Sequence, residues 1–307
     1  MILLLLLWGC AGTLDSAVKS RSVPRLAAIR DLDVACAFGE VGVAASLTIS
    51  RERSGQALTV AWTMAGLCSE LQAREAAIQA RLAMARGDTA GASDGRIAAA
   101  RLHAKAAERY QQAYQLALDE YGDADRCRFL SRADEGVYLL GLMAGQLAQV
   151  NDGESGGVVS VPLNQIIEVG RASLCLDDEA WWAIPEATRM AGWATVPGSG
   201  PADLDPWQGL AAAAARGDAL GQGIPRSLWL FAAANAGRAD QVREILAAWP
   251  EPVEGQPQEW ALLDQYARQL ARHEADLLWI AEEGHRAPAP PAPPLVAAAP
   301  PPDPFGD

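Results

Sequence analysis

The chain has 307 residues, 50% of them hydrophobic, and a formal net charge of −13. That length suffices to bury one large or two small cores. The acid excess, with no cluster of Lys and Arg, excludes nucleic acid as a partner class, because neutralising phosphates takes clustered cations.

Residues 1–9 read MILLLLLWG and are followed by Cys10 and Ala11. A short apolar run ending in Gly9 before a cysteine predicts a signal segment whose Cys10 is lipidated and becomes the mature N-terminus. The run has no basic leader and is far below the ~20 residues of a membrane-spanning helix. Even as the remnant of a longer signal it implies export, and lipidation would place the protein on the bacterial cell envelope, facing the periplasm. Residues 10–23 are short and polar and suit a tether. Residues 24–286 form the folded body, and 287–307 (APAPPAPPLVAAAPPPDPFGD) a proline-rich tail without core residues.

Helical signals fill the body. Residues 24–38 and 41–51 predict two short helices, and 56–86 a long one ending at Gly87. After a connection at 87–93, the run 94–122 (DGRIAAARLHAKAAERYQQAYQLALDEYG) predicts the central helix, with Asp94 as N-cap and Gly122 just past its end. Leu102, Ala106, Tyr110, Ala113, Tyr114, Ala117 and Tyr121 share one face at helical period. Alternating small and large residues there predict close packing against neighbours on both sides. Residues 127–150 predict the next helix, in which Gly141 and Gly145 make a small-xxx-small step. A loop at 151–161 precedes a helix at 163–174, begun by Pro162. Then come helices at 186–194, 207–216, 227–236, 239–249 and 259–283. The fold class is all-α, an array of helical hairpins of the tetratricopeptide type.

Cys36, Cys68, Cys127 and Cys175 are even in number and contain no Cys-x-x-Cys pair, while His103, His273 and His285 are scattered. No metal site and no cofactor is expected. In an oxidising compartment four such cysteines predict two disulfides. Three pairings are open, and adjacency of consecutive helices favours Cys36–Cys68 with Cys127–Cys175. Four buried thiols are the other reading.

Catalytic patterns are missing. Gly153-Glu154-Ser155-Gly156-Gly157 looks like a serine-protease nucleophile loop, but that chemistry needs a base and an orienting acid on a β scaffold. No glycine loop for phosphates is present. The expectation is a binding protein rather than an enzyme. Trp181, Trp182 and Trp193, with Arg171 and Arg189 near them in sequence and Tyr110 and Tyr114 on the central helix, are the candidate groove for an apolar ligand or a partner. The bland alternative for the tryptophans is core.

The segments AWTMAGLCSEL (61–71), RLHAKAAERYQQAYQLAL (101–118) and 138–176, which opens YLLGLMAGQLAQVN and closes VPLNQIIEVGRASLCL, follow one another in a recognisable order, as do 242–249 and 262–280. Together, over roughly residues 31–284, they resemble the T-component (TatT-like) lipoproteins associated with TRAP transporters. The resemblance implies lipid-anchored tetratricopeptide-like hairpins, self-assembly as a trimer, and an apolar or organic-acid ligand. It also implies a partner, the periplasmic solute-binding protein of a TRAP-type uptake system. Trp181-Trp182 and the proline-rich tail depart from that pattern. The expected function is therefore a non-enzymatic accessory protein of the cell envelope. A structural envelope lipoprotein with no transport role is the alternative.

Overall fold

In the computed structural model, which describes residues 26–49, 55–250 and 260–288, every regular element is helical. Cys10, the tether and the tail from residue 289 lie outside the described residues. Ten α-helices follow in order: α1 Leu32–Ile49, α2 Gly55–Ala85, α3 Thr89–Tyr121, α4 Arg132–Ser155, α5 Gln165–Ala172, α6 Ile184–Thr195, α7 Pro206–Ala219, α8 Ile224–Asn235, α9 Ala239–Ala247 and α10 Ala261–Glu283. A 3-10 turn, Ser173–Cys175, extends α5. Among the described residues no helix is long and apolar enough to cross a membrane.

The long helices α2, α3 and α4 form the frame, with α3 packed between the other two. At ~1.5 Å per residue α2 and α3 run about 47 and 50 Å. The predicted inner face of α3 is the face that packs. Ala106, Ala113 and Ala117 are wholly buried, Tyr110, Tyr114 and Tyr121 nearly so, and Leu102 is half-buried. Close approach is bought by glycines on the neighbours. A Cβ on Gly66 of α2 would lie 2.6 Å from the Tyr110 ring, and one on Gly145 of α4 2.6 Å from the Tyr114 ring. On Gly141 it would lie 2.2 Å from the Ala117 Cβ. The small-xxx-small step of α4 is thus a seat for α3.

Several boundaries differ from the sequence expectation, each for a local reason. The break expected between two short helices at 24–38 and 41–51 is absent: within the described residues the single helix α1 runs through it from Leu32 to Ile49. Gly39 does not break it, because it backs onto α2, where a Cβ would come 2.3 Å from the Ala65 amide nitrogen. The N-cap of helix α3 lies six residues before the expected Asp94, so the helix starts at Thr89. Asp88 caps it through its carboxylate on the Gly91 N–H at 2.9 Å, and Gly87 turns the chain at φ 78°. The connection expected at 87–93 is therefore one tight turn. Helix α4 begins at Arg132, not Cys127, behind the Ser131 N-cap. It runs through Asn151 to Ser155, residues expected in a loop. The Asp152 carboxylate accepts from the Val159 and Val161 amides, at 2.8 Å each, and folds the following turn onto the helix end.

Disulfides join Cys36 to Cys68 and Cys127 to Cys175, with Cα separations of 5.0 and 6.2 Å. The first ties α1 to α2. The second ties the approach to α4 to the end of the α5 segment. Helices α6, α7 and α8 pack on one another around Met190, Leu210 and Ala213, and α10 then returns across α8 to reach α2. That return brings the last helix against the first long one and creates the candidate site.

Candidate functional site

Helices α4, α8 and α10 each turn a stripe toward a common cleft. From α4 come Met143, Leu147 and Val150, and from α8 Ile224, Leu228 and Phe231, both spaced i, i+4, i+7; Tyr266 and Leu270 of α10 complete the walls. The polar groups on the cleft are Arg74, Gln146, Ser227 and Tyr266. Its free volume is about 40 Å³. That is room for about three waters or one slim apolar group, at ~10–15 Å³ per water.

Beneath the cleft lies a knot of buried polar side chains. Glu70 on α2 has 0% exposure. One carboxylate oxygen accepts from the Tyr110 hydroxyl at 2.7 Å, the other from Arg74 Nε at 2.8 Å, and the Tyr266 hydroxyl reaches both at 2.9 and 3.0 Å. Arg74 Nη2 closes the ion pair at 2.8 Å. These bonds join α2, α3 and α10 across 196 positions of sequence. A buried carboxylate persists only when its lone pairs are filled and a cation neutralises it, and here both conditions hold. Burial and the Glu70 charge push both phenols well above the ordinary tyrosine range. They are fixed donors at neutral pH. Beside the knot, burial and the nearby Arg74 charge lower the His273 imidazole to about 2, so it is neutral. Between α3 and α4, the His103 Nδ1 meets the Asn151 side-chain oxygen at 2.7 Å, and Asn151 donates to the Leu147 carbonyl. Asn151 therefore has its oxygen turned to His103, which makes Nδ1 the protonated nitrogen.

Among the described residues no group of three or more His, Cys, Asp and Glu side chains is placed to hold a metal ion.

The chain matches no family model, no curated protein and no solved structure.

None of the seven residues singled out in the sequence lines this cleft. Trp181 is wholly buried, its ring edge-on to Trp182 and Trp260 at 5.7 and 5.4 Å between centroids. Its Nε1 donates to Glu135 at 3.0 Å, and the Arg132 guanidinium lies 4.6 Å from its ring centre. Trp182 and Ala183 both adopt left-handed backbone, φ 53° and 62°, which costs about 1–2 kcal/mol each. Burying Trp181 offsets that cost. Trp193 belongs to the separate cluster around Met190, so the three tryptophans form no single groove. Arg189 is buried on Asp178 and Ser173, whereas Arg171 is 64% exposed. Tyr114 packs on Gly145, and of the seven only Tyr110 touches the knot.

Glu70, Arg74 and Gln146 were missed by sequence reasoning. A signal did exist. Glu70 and Arg74 are an i, i+4 pair at the end of the apolar stretch 57–68, and Gln146 interrupts the apolar face of a helix whose glycines mark it as packed.

Proposed function

We propose that this protein is a non-enzymatic accessory protein of the bacterial cell envelope, anchored by lipid at Cys10, that holds a small apolar ligand in the cleft. In this reading its helical body is presented to a partner, the periplasmic solute-binding protein of a TRAP-type uptake system, and assembles as a trimer. The observation that carries the ligand-holding part is the cleft itself. Its walls are apolar, its polar groups are few and convergent, and the knot beneath it ties α2, α3 and α10 together, as suits a small-molecule site. The partner and the anchor rest on the resemblance and on the N-terminal pattern.

Two measurements test the reading. Xenon, which enters apolar cavities, should give a saturable NMR shift with the intact protein and none with Leu147→Trp, whose indole fills the cleft. No saturable shift in the unaltered protein would refute ligand holding. In-cell crosslinking of the tagged protein should recover a solute-binding protein together with a multi-span permease. Recovery of the protein alone, or of cell-wall components, would sink the transport role and favour the structural one.

A further inference from the structure

Among the described residues, two polar groups on the cleft have hydrogen-bonding capacity left unused. Gln146 is 4% exposed, and among the described residues its carboxamide makes no hydrogen bond. Arg74 commits Nε and Nη2 to Glu70, and among the described residues its Nη1 meets no acceptor. Both residues line the cleft. Buried polar groups of this kind are bonded in nearly all proteins, so an occupant that satisfies them gains over one that does not. It must carry an acceptor for Nη1 and a polar atom for the amide.

The charge of that occupant follows from the surroundings. Glu70 already neutralises Arg74, so the guanidinium offers a directed donor without a free positive charge. The neighbouring His273 is neutral. A carboxylate would lose its water among Met143, Leu147 and Phe231 and would lie across the guanidinium from a second carboxylate. The chain's net charge of −13 adds a repulsive field. A carbonyl meets none of these penalties.

We propose that the cleft selects a neutral, slim acyl compound, an amide or an ester, whose carbonyl oxygen accepts from Arg74 Nη1 and whose second polar atom meets Gln146, in preference to a free carboxylate. This rests on the cleft being a ligand site and narrows what it takes.

The test is ligand-observed NMR titration of the intact, disulfide-bonded protein at neutral pH with pentanamide and with pentanoate, alongside xenon. Pentanamide should bind at least roughly tenfold more tightly than pentanoate, the size expected of one uncompensated charge. Gln146→Leu should cut the pentanamide affinity several-fold and leave xenon binding in place. This variant is chosen because it removes an unbonded amide rather than a member of the knot. Equal or tighter binding of pentanoate, with xenon still bound, overturns the proposal and leaves the cleft reading standing. An unchanged pentanamide affinity in Gln146→Leu also overturns it. Loss of both xenon and pentanamide binding in the unaltered protein removes the cleft reading and the proposal with it.

Discussion

Replacing Glu70 by glutamine should be among the most damaging single changes in this protein. The substitution keeps the shape and removes the charge, leaving the Arg74 guanidinium without its counter-ion in a site where Glu70 has 0% exposure and Arg74 only 11%. Breaking a buried pair by removing one partner costs about 3–5 kcal/mol. Arg74 lines the cleft, which allows some hydration and puts the expected loss near the lower end, about 3 kcal/mol. The phenols of Tyr110 and Tyr266 each lose a charged acceptor too, but these effects overlap and do not add. Tyr110→Phe alone should cost about 1.5–3 kcal/mol, the range for a hydrogen bond to a charged group. The assay is urea unfolding followed by far-UV circular dichroism, with the slope checked for constancy so that the midpoint shift reads as stability. Adding Arg74→Met to Glu70→Gln removes the orphaned cation and should recover part of the loss. A Glu70→Gln cost below about 1 kcal/mol, or an Arg74→Met change that worsens the double variant additively, would refute the account of the knot.

Two further outcomes follow from packing and from ionisation. Gly141→Ala, whose Cβ would meet the Ala117 Cβ at 2.2 Å, should lose about 1–3 kcal/mol by overpacking, whereas Gly153→Ala on the same helix, with nothing within 4 Å, should gain about 0.4–1 kcal/mol. Equal effects at the two sites in the same unfolding assay would contradict the seating of α3 on α4. For pH, burial raises the Tyr114 phenol to about 12 from 10, and Tyr110 and Tyr266 also rise. Their contribution is whole below pH 10 and is lost as pH climbs through the folded values. His273 is lowered to about 2 from 6.5, so its contribution is whole above pH 6.5 and is lost as pH falls from there. Melting temperature against pH should show a plateau between these limits, and His273→Gln should flatten its acid side. An acid slope unchanged in that variant would assign the loss to other groups.

The helical class was legible because alanine-rich, period-3.6 segments have few other ways to bury their apolar faces. The α3 stripe from Ala106 to Tyr121 is buried as its spacing required, and Gly141 and Gly145 mark where a neighbour comes close. Helix adjacency also indicated the disulfide pairing. Boundaries were harder to read, since Asp88 and Asp94 are equally good caps on paper and only the turn at Gly87 decides between them.

The site was a different matter. Trp181 and Trp182 are neighbours in sequence and drew attention as a ligand surface, yet Trp260, from the far end of the chain, closes over Trp181 and makes it core. The cleft arises only where α10 returns to α2 and α8. Its parts lie too far apart in sequence for any local pattern to join them: Glu70 meets Tyr266 across 196 positions, and Gln146 faces the same space from α4. Local period and propensity determined what each segment is. Which faces meet was decided by tertiary packing, because a buried carboxylate can be tolerated only where distant donors converge on it.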